Sequence, residues 1–132
     1  MNGNHNGYLV DTNVVIRFLK GVTELFPYFE DMETLFVSSV SVGELMYGAE
    51  LSAKSTFNRD MYFNFCENMQ IVTPDAEVGK IYGKIKAFLK KKGHPIPEND
   101  IWIAATAMAA NLELITADSD FLGIDGLAVK MI

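Results

Sequence analysis

Acidic side chains recur at the ends of predicted elements in this sequence. Asp11 directly follows an apolar run, Glu44 lies near the start of a helical segment, and Asp100 lies near the start of another. Asp118 and Asp120 follow a further apolar run. Carboxylates brought together repel one another unless a cation lies among them, and hard oxygen ligands without His or Cys suit Mg²⁺ or Mn²⁺. The pattern therefore predicts a divalent-metal site, which is most often used on phosphate groups.

Each acidic position also has a purely structural explanation. Asp11 can cap the helix that follows it, and Ser41 with Glu44 has the spacing of a capping box. A cap or a turn can likewise explain the acids of the other positions. The structural explanation is sufficient for any single acid, whereas the recurrence of acids at several element ends favours the metal site.

Polar residues next to the acids are candidates for orienting the carboxylates through hydrogen bonds. They are Thr12, Asn13, Asn99 and Thr116. Zinc is disfavoured because the candidate soft or imidazole ligands, which are Cys66, His5 and His94, do not have ligand spacing. No Ser/His/Asp or Cys/His arrangement suggests a covalent intermediate.

The elements that must position these residues alternate along the chain. Short apolar runs at 8–10, 35–38, 71–73, 112–116 and 127–129 indicate strands, and helical spacing separates them. Helical patterns cover 24–33, a segment that opens at Ser41, and 75–92. Because no hairpin signal joins the strands, the order predicts an α/β domain with a central, mostly parallel sheet of four to five strands flanked by helices.

The composition limits the domain count and the compartment. The chain has 132 residues, which suits one domain, and residues 1–7 are expected to be a flexible tail before a domain at 8–132. Its single cysteine excludes an intramolecular disulfide and fits the cytoplasm. The apolar runs are too short to predict a membrane span.

The net charge of the chain, taken alone, disfavours binding to a nucleic acid. With 11 basic and 17 acidic residues, the formal net charge is −6, and a uniformly acidic surface repels phosphates. Setting the five acids of the predicted site aside leaves 12 acidic residues against 11 basic ones. The remaining surface is therefore close to neutral.

Four segments of the chain resemble the motifs of PIN-domain ribonucleases, and the closest subgroup is the VapC-type toxins of toxin–antitoxin systems. The segments are 9–16, 38–48, 99–107 and 114–121, and they follow the order and spacing of the family. Any one of these motifs is weakly specific, whereas four in order are specific. The resemblance covers essentially the whole chain after residue 7.

The resemblance implies an endoribonuclease that depends on Mg²⁺ or Mn²⁺ and hydrolyses RNA phosphodiesters with a metal-activated water. It implies that Asp11, Glu44, Asp100 and Asp118 are the catalytic acids that hold the metal, with Asp120 as an accessory ligand. It also implies a homodimer and a cognate antitoxin whose C-terminal segment blocks the site.

The lysines of one predicted helix gain a second interpretation from this resemblance. Residues 80–92 contain six of the 11 basic residues. A solvated helix face explains most of them, whereas a path for RNA phosphates is the functional alternative, with Lys84 and Lys91 as its candidates.

Two alternatives within the same fold stay open. One is a PIN-domain RNA-processing nuclease outside any toxin–antitoxin system, and the other is a non-catalytic PIN-like scaffold that only binds partners. A scaffold is expected to lose one or more acids, whereas this chain keeps all of them. Receiver domains and haloacid-dehalogenase-like phosphatases need a second acid close to the first, and Thr12 and Asn13 follow Asp11 instead.

Overall fold

The fold is built on a parallel sheet of five strands, as seen in a computed structural model that describes residues 5–132. The strand order is β3-β2-β1-β4-β5, and every neighbouring pair is parallel. The strands are β1 Tyr8–Val10, β2 Leu35–Ser38, β3 Gln70–Val72, β4 Glu113–Thr116 and β5 Val129–Met131. The predicted α/β class with a central parallel sheet is confirmed.

Helices cover both faces of this sheet. They are α1 Thr12–Leu19, α2 Ser39–Leu51, α3 Ser55–Glu67, α4 Ala76–Lys92 and α5 Glu98–Ala109. Side chains of α4 and α5 pack with Leu9 of β1 in one core cluster. Side chains of α1, α2 and α3 pack with the next residue, Val10, in the other. Consecutive strand residues thus face opposite layers, which explains why the central strands are apolar throughout.

The chain order reverses at the centre of the sheet, between β1 and β4. From β1, the chain adds β2 and β3 on one side and later adds β4 and β5 on the other. In an open parallel sheet, a crevice forms beyond the carboxyl ends of the strands at such a reversal. The ends of β1 and β4 are therefore where a binding site is expected.

Three local predictions differ from the structure. The segment 24–33 forms short 3₁₀ helices, Thr23–Phe29 and Met32–Thr34, and Pro27 within it cannot donate an α-helical hydrogen bond. Helix α2 begins at Ser39 because the side chain of Ser38 caps it by accepting the N–H of Val40. Strand β5 spans Val129–Met131, two residues beyond the predicted strand at 127–129.

The first seven residues divide into two parts. Residues 1–4 of the predicted tail lie outside the described residues. The backbone N–H of Asn6 donates to the carbonyl of Asn111 at 2.8 Å, and the carbonyl of Gly7 accepts from the N–H of Glu113 at 3.0 Å. These bonds continue the pairing of β1 with β4. Among the helices of the described chain, none has the length and apolar character needed to cross a membrane.

Candidate metal centre

The candidate site begins with Asp11, the first residue after the central strand β1. Its backbone is extended, and its carboxylate accepts the N–H of Thr12 at 2.8 Å, so Asp11 caps α1. The residue is only 4% exposed. The capping role predicted for Asp11 is therefore confirmed, and the same side chain also lines the crevice at the end of the strand.

Thr116, the last residue of β4, fixes two of the acids at once. Its hydroxyl donates to Oδ2 of Asp11 at 2.7 Å and accepts the backbone N–H of Asp118 at 3.0 Å. Thr116 is fully buried. A single side chain thus joins the carboxyl ends of β1 and β4, the two strands between which the chain order reverses.

Glu44 reaches the same crevice from the second turn of α2. The hydroxyl of Thr12 donates to Glu44 Oε1 at 2.5 Å, and the amide of Asn99 donates to Oε2 at 3.3 Å. Because α2 begins at Ser39, Ser41 and Glu44 do not form a capping box. The capping-box explanation for Glu44 is therefore wrong. Hydrogen bonds from side chains of α1 and α5 orient its carboxylate instead.

Asp100, Asp118 and Asp120 form the other half of the site. Asp100 lies in the first turn of α5, and Asp118 caps a 3₁₀ turn, Ser119–Gly123, by accepting the N–H of Asp120 at 2.9 Å. One carboxylate oxygen from each of the three residues lies within 4.8 Å of the others, a spacing that suits ligands of one ion.

Four of the acids, but not Asp120, line a small open cavity of about 230 Å³, which we call the acidic cavity. The polar residues that line it come from four separate elements or element ends: Asp11, Thr12, Asn13, Glu44, Asp100 and Asp118. The buried Oδ1 of Asn13 has no hydrogen-bond partner among residues 5–132, so this oxygen is a further hard donor at the site. Lys84 and Lys91 are not among the described residues that line it.

Burial and mutual repulsion raise the pKa of two acids in the acidic cavity. Burial, followed by the charges of Asp11, Asp118, Glu44 and Asp120, raises the pKa of Asp100 to about 7. Burial also raises the pKa of Asp11, against the lowering effect of its hydrogen bonds from Thr116 and Thr12. A divalent cation would relieve both effects, and the all-oxygen donor set fits Mg²⁺ or Mn²⁺.

The role of Thr116 can be tested by removing only its hydroxyl. We expect Thr116→Val to lower Mn²⁺ affinity about 10-fold, because the Asp11 carboxylate loses the partner that orients it. Thr116→Ser keeps the hydroxyl and should retain the affinity of the parent chain. Calorimetric titration with Mn²⁺ measures both, and equal affinities for the Val and Ser variants would contradict the role assigned to Thr116.

Two residues near the site were not singled out as RNA-binding candidates from the sequence. Lys92 and His94 line a cavity that also contains Asp120. Lys92 was one of six lysines on a helix, and His94 was considered only as a zinc ligand. Lys92 and His94 take their positions from the reversal of the chain at Gly93, where φ is +72°. Because this turn is far from Asp120 in the sequence, no local pattern predicts that the three residues lie close together.

Comparison with known proteins agrees with the fold. Residues 8–127 match the PIN domain family. Over 111 residues the chain is 36% identical to ribonuclease VapC2 of Haemophilus influenzae, covering 83% of this chain and 84% of that protein. It is 28% identical over 126 residues to a tRNA(fMet)-specific endonuclease VapC of Salmonella typhimurium, covering 93% and 96% of the two chains.

A solved structure is similar over nearly the whole chain. It is the VapBC2 complex of Rickettsia felis bound to a DNA fragment from its promoter, with a TM-score of 0.88 and 28% identity. The similarity covers 95% of this chain and 98% of that one. A VapBC complex of Salmonella typhimurium bound to DNA gives a TM-score of 0.89 at 26% identity and 95% and 97% coverage. The chain therefore belongs to the PIN-domain family, and within that family it is similar to the VapC ribonucleases.

Proposed function

We propose that this protein is a metal-dependent endoribonuclease and the toxin of a VapBC-type toxin–antitoxin pair. The observation that carries the proposal is the convergence of Asp11, Glu44, Asp100 and Asp118 on one cavity at the carboxyl ends of the central strands. The names of the relatives, which are ribonucleases and an endonuclease, support the same reaction class.

The acids of the cavity have separable roles in this proposal. Asp11, Glu44, Asp100 and Asp118 hold Mg²⁺ or Mn²⁺, and Asp120 is an accessory ligand. When bound, the ion supplies activation of a water molecule and neutralisation of phosphate charge. Thr116 and Thr12 hold Asp11 in place, while Thr12 and Asn99 orient Glu44. Asn13 supplies a neutral oxygen beside them.

Protein partners are part of the same proposal. Two of the solved structures similar to this chain are VapBC complexes, and VapBC is described as a family of toxin–antitoxin systems. Large apolar side chains on α2 and α3 are open to solvent in this chain, with Tyr47 68%, Leu51 71% and Phe57 64% exposed. Exposed apolar groups of this size on neighbouring helices are typical of interaction surfaces. A cognate antitoxin and a second copy of the chain are the proposed partners, in the cytoplasm.

The function is tested directly by incubating the full-length chain with total RNA in Mg²⁺, in Mn²⁺ and in a chelator, and mapping the new RNA ends. We expect cleavage at a limited set of positions in either metal and none in the chelator. Absence of cleavage in both metals would overturn the proposal. Cleavage that persists in the chelator would overturn the metal dependence.

The two alternative functions are separated by simple observations. A processing nuclease should cleave the same RNA whether or not a small neighbouring gene product is present, whereas a toxin should be inhibited by that product. A non-catalytic scaffold is disfavoured because such a protein has no need to keep all of the acids that crowd the cavity and raise the pKa of Asp100.

The predicted RNA path along α4 remains a proposal with its own test. Lys84 and Lys91 are both exposed and seven residues apart, which places them on one side of the helix. We expect Lys84→Ala combined with Lys91→Ala to weaken binding of single-stranded RNA several-fold. The slope of log affinity against log salt should fall by about 1.4, or 0.7 for each lost phosphate contact. An unchanged slope in a filter-binding assay without metal would rule out this path.

A further inference from the structure

A second cavity adjoins the acidic cavity, and we call it the flanking cavity. It has a volume of about 480 Å³ and lies between the C-terminal end of α4, the turn at 93–96 and the 3₁₀ turn Ser119–Gly123. Asp120 lines it, and the carboxylate of Asp120 belongs to the triad in which one oxygen of each acid lies within 4.8 Å of the others. The flanking cavity therefore lies beside the acids that line the acidic cavity.

The walls of the flanking cavity combine a cation, an imidazole ring and apolar groups. Lys92 supplies the cation and His94 the imidazole ring. The apolar part consists of Leu89, Pro95 and Ile96. The Lys92 ammonium lies 4.9 Å from the ring centroid of Phe88, and no carboxylate of residues 5–132 forms a salt bridge with it. In contrast, Lys80 and Lys86 of the same helix pair with Glu77 and Glu98. The charge of Lys92 is thus available to an anion.

The backbone fixes this arrangement before any ligand arrives. Helix α4 ends in a left-handed residue, Gly93, whose N–H donates to the carbonyl of Lys90 at 3.1 Å. The N–H of His94 donates to the carbonyl of Leu89 at 3.0 Å. This pair of bonds is the Schellman ending of a helix, and it holds His94 at a set position relative to Lys92.

We infer that the flanking cavity binds the nucleotide next to the scissile phosphate of a single-stranded RNA. This inference rests on the proposed function and deepens it. Lys92 contacts a backbone phosphate, the ring of His94 stacks on the base, and the apolar wall contacts the face of the base. Proteins commonly bind unpaired nucleotides through such a combination of a cation, a stacking ring and apolar contact.

The charged residues that line this cavity are Lys92 and Asp120. Because Asp120 is assigned to the metal in the proposed function, Lys92 supplies the free charge, and that charge favours RNA over a basic protein segment. A partner segment that directs a basic side chain at the acidic cavity meets the like charge of Lys92 beside it. An RNA chain presents a phosphate to the metal centre and a neighbouring phosphate to Lys92, so both of its charges are matched. The neutral face of a base suits Leu89, Pro95 and Ile96.

The test compares variants on substrates shortened on either side of the cleavage position. A short labelled RNA that contains a mapped cleavage position is cut by the full-length parent chain, Lys92→Ala and His94→Ala. Each variant is expected to lower kcat/KM about 5- to 20-fold. Lys80→Ala is the matched control, since Lys80 is exposed and lies 12 residues, or about 18 Å, along the same helix. Its kcat/KM should equal that of the parent.

Removing one nucleotide from the substrate separates a specific contact from a general loss of activity. On the RNA that lacks the nucleotide held in the flanking cavity, the parent should fall to the rate of the variants, and the variants should lose little more. Removing one nucleotide on the other side of the cleavage position should leave the ratio of the parent's kcat/KM to the variant's kcat/KM unchanged. A constant ratio on every substrate would overturn the inference, because the two residues would then not contact that nucleotide.

The remaining outcomes distinguish this inference from the function on which it rests. If the parent cuts RNA and both variants match it, the inference is wrong while the nuclease proposal stands. If the parent cuts no RNA in Mg²⁺ or Mn²⁺, both are wrong. If the variants cut like the parent but resist inhibition by the antitoxin, the flanking cavity binds a protein segment and the inference is overturned in favour of that partner.

Discussion

Asp100→Asn is expected to have opposite effects on activity and on stability. Metal-dependent RNA cleavage should fall by at least about 100-fold, since the loss of a group that only supports a metal ligand already costs 10- to 100-fold. In a chelator at pH 8, the same variant should melt at a higher temperature than the parent. The reason is that Asn occupies the same half-buried position without a charge, which is costly to bury there and which the neighbouring carboxylates repel.

Two further variants make this result specific to the site. Asp60→Asn changes an exposed aspartate of α3 and should alter neither property. Asp11→Asn should lower cleavage as much as Asp100→Asn but with a smaller gain in stability. Burial also raises the pKa of Asp11, but its carboxylate accepts hydrogen bonds from Thr12 and Thr116 that offset part of this effect. Comparable cleavage by Asp100→Asn and the parent in Mg²⁺ would show that the catalytic acids are misassigned.

The second large effect is on the pH dependence of metal binding. The pKa of Asp100 is raised from 3.8 to about 7, so below pH 7 an ion must displace a proton from this carboxyl. Apparent Mg²⁺ affinity should therefore fall about 10-fold for each pH unit below 7, since one proton is released for each ion bound. The stabilisation that Mg²⁺ gives should accordingly be much larger at pH 8 than at pH 5.

The direction of the stability change without metal follows from the same pKa. Between 3.8, the ordinary value, and about 7, the folded chain holds a proton on Asp100 that the unfolded chain has released. The contribution of this group to stability is therefore present at low pH and is lost as the pH rises through that range. Thermal melts of the parent from pH 5 to pH 8, in chelator and in Mg²⁺, measure both trends. An equal shift on adding Mg²⁺ at pH 5 and pH 8 would contradict the prediction.

The sequence predicted the elements more accurately than their ends. The strands of the sheet and the long helix α4 follow from apolar periodicity, which is strong in a chain buried on both faces of a parallel sheet. Competing local interactions determine the ends. Ser38 caps α2 earlier than Ser41 would have done, and Pro27 favours 3₁₀ turns where the apolar spacing alone predicted an α-helix.

Four of the acids predicted for the candidate site line one cavity, and two of them take their position from strand ends. Asp11 and Asp118 follow central strands, so a parallel sheet necessarily places them together. The hydrogen bonds that orient the carboxylates of the site cannot be predicted from strand ends. The bond from Thr12 to Glu44 crosses 32 residues, and Lys92 and Asp120 meet in one cavity only because of how a helix end and a 3₁₀ turn pack. Such proximity depends on tertiary packing, which no local pattern encodes.

The bond from Thr116 to Asp11 spans 105 residues and therefore sets when the site can exist during translation. The ribosome adds residues at about 5–20 per second, so Thr116 is synthesised roughly 5–20 s after Asp11. Strand β1 is complete early but lacks β4, and the crevice has only one wall until then. A nascent chain, or a product truncated before β4, thus carries most of the acids without the arrangement that makes them a site.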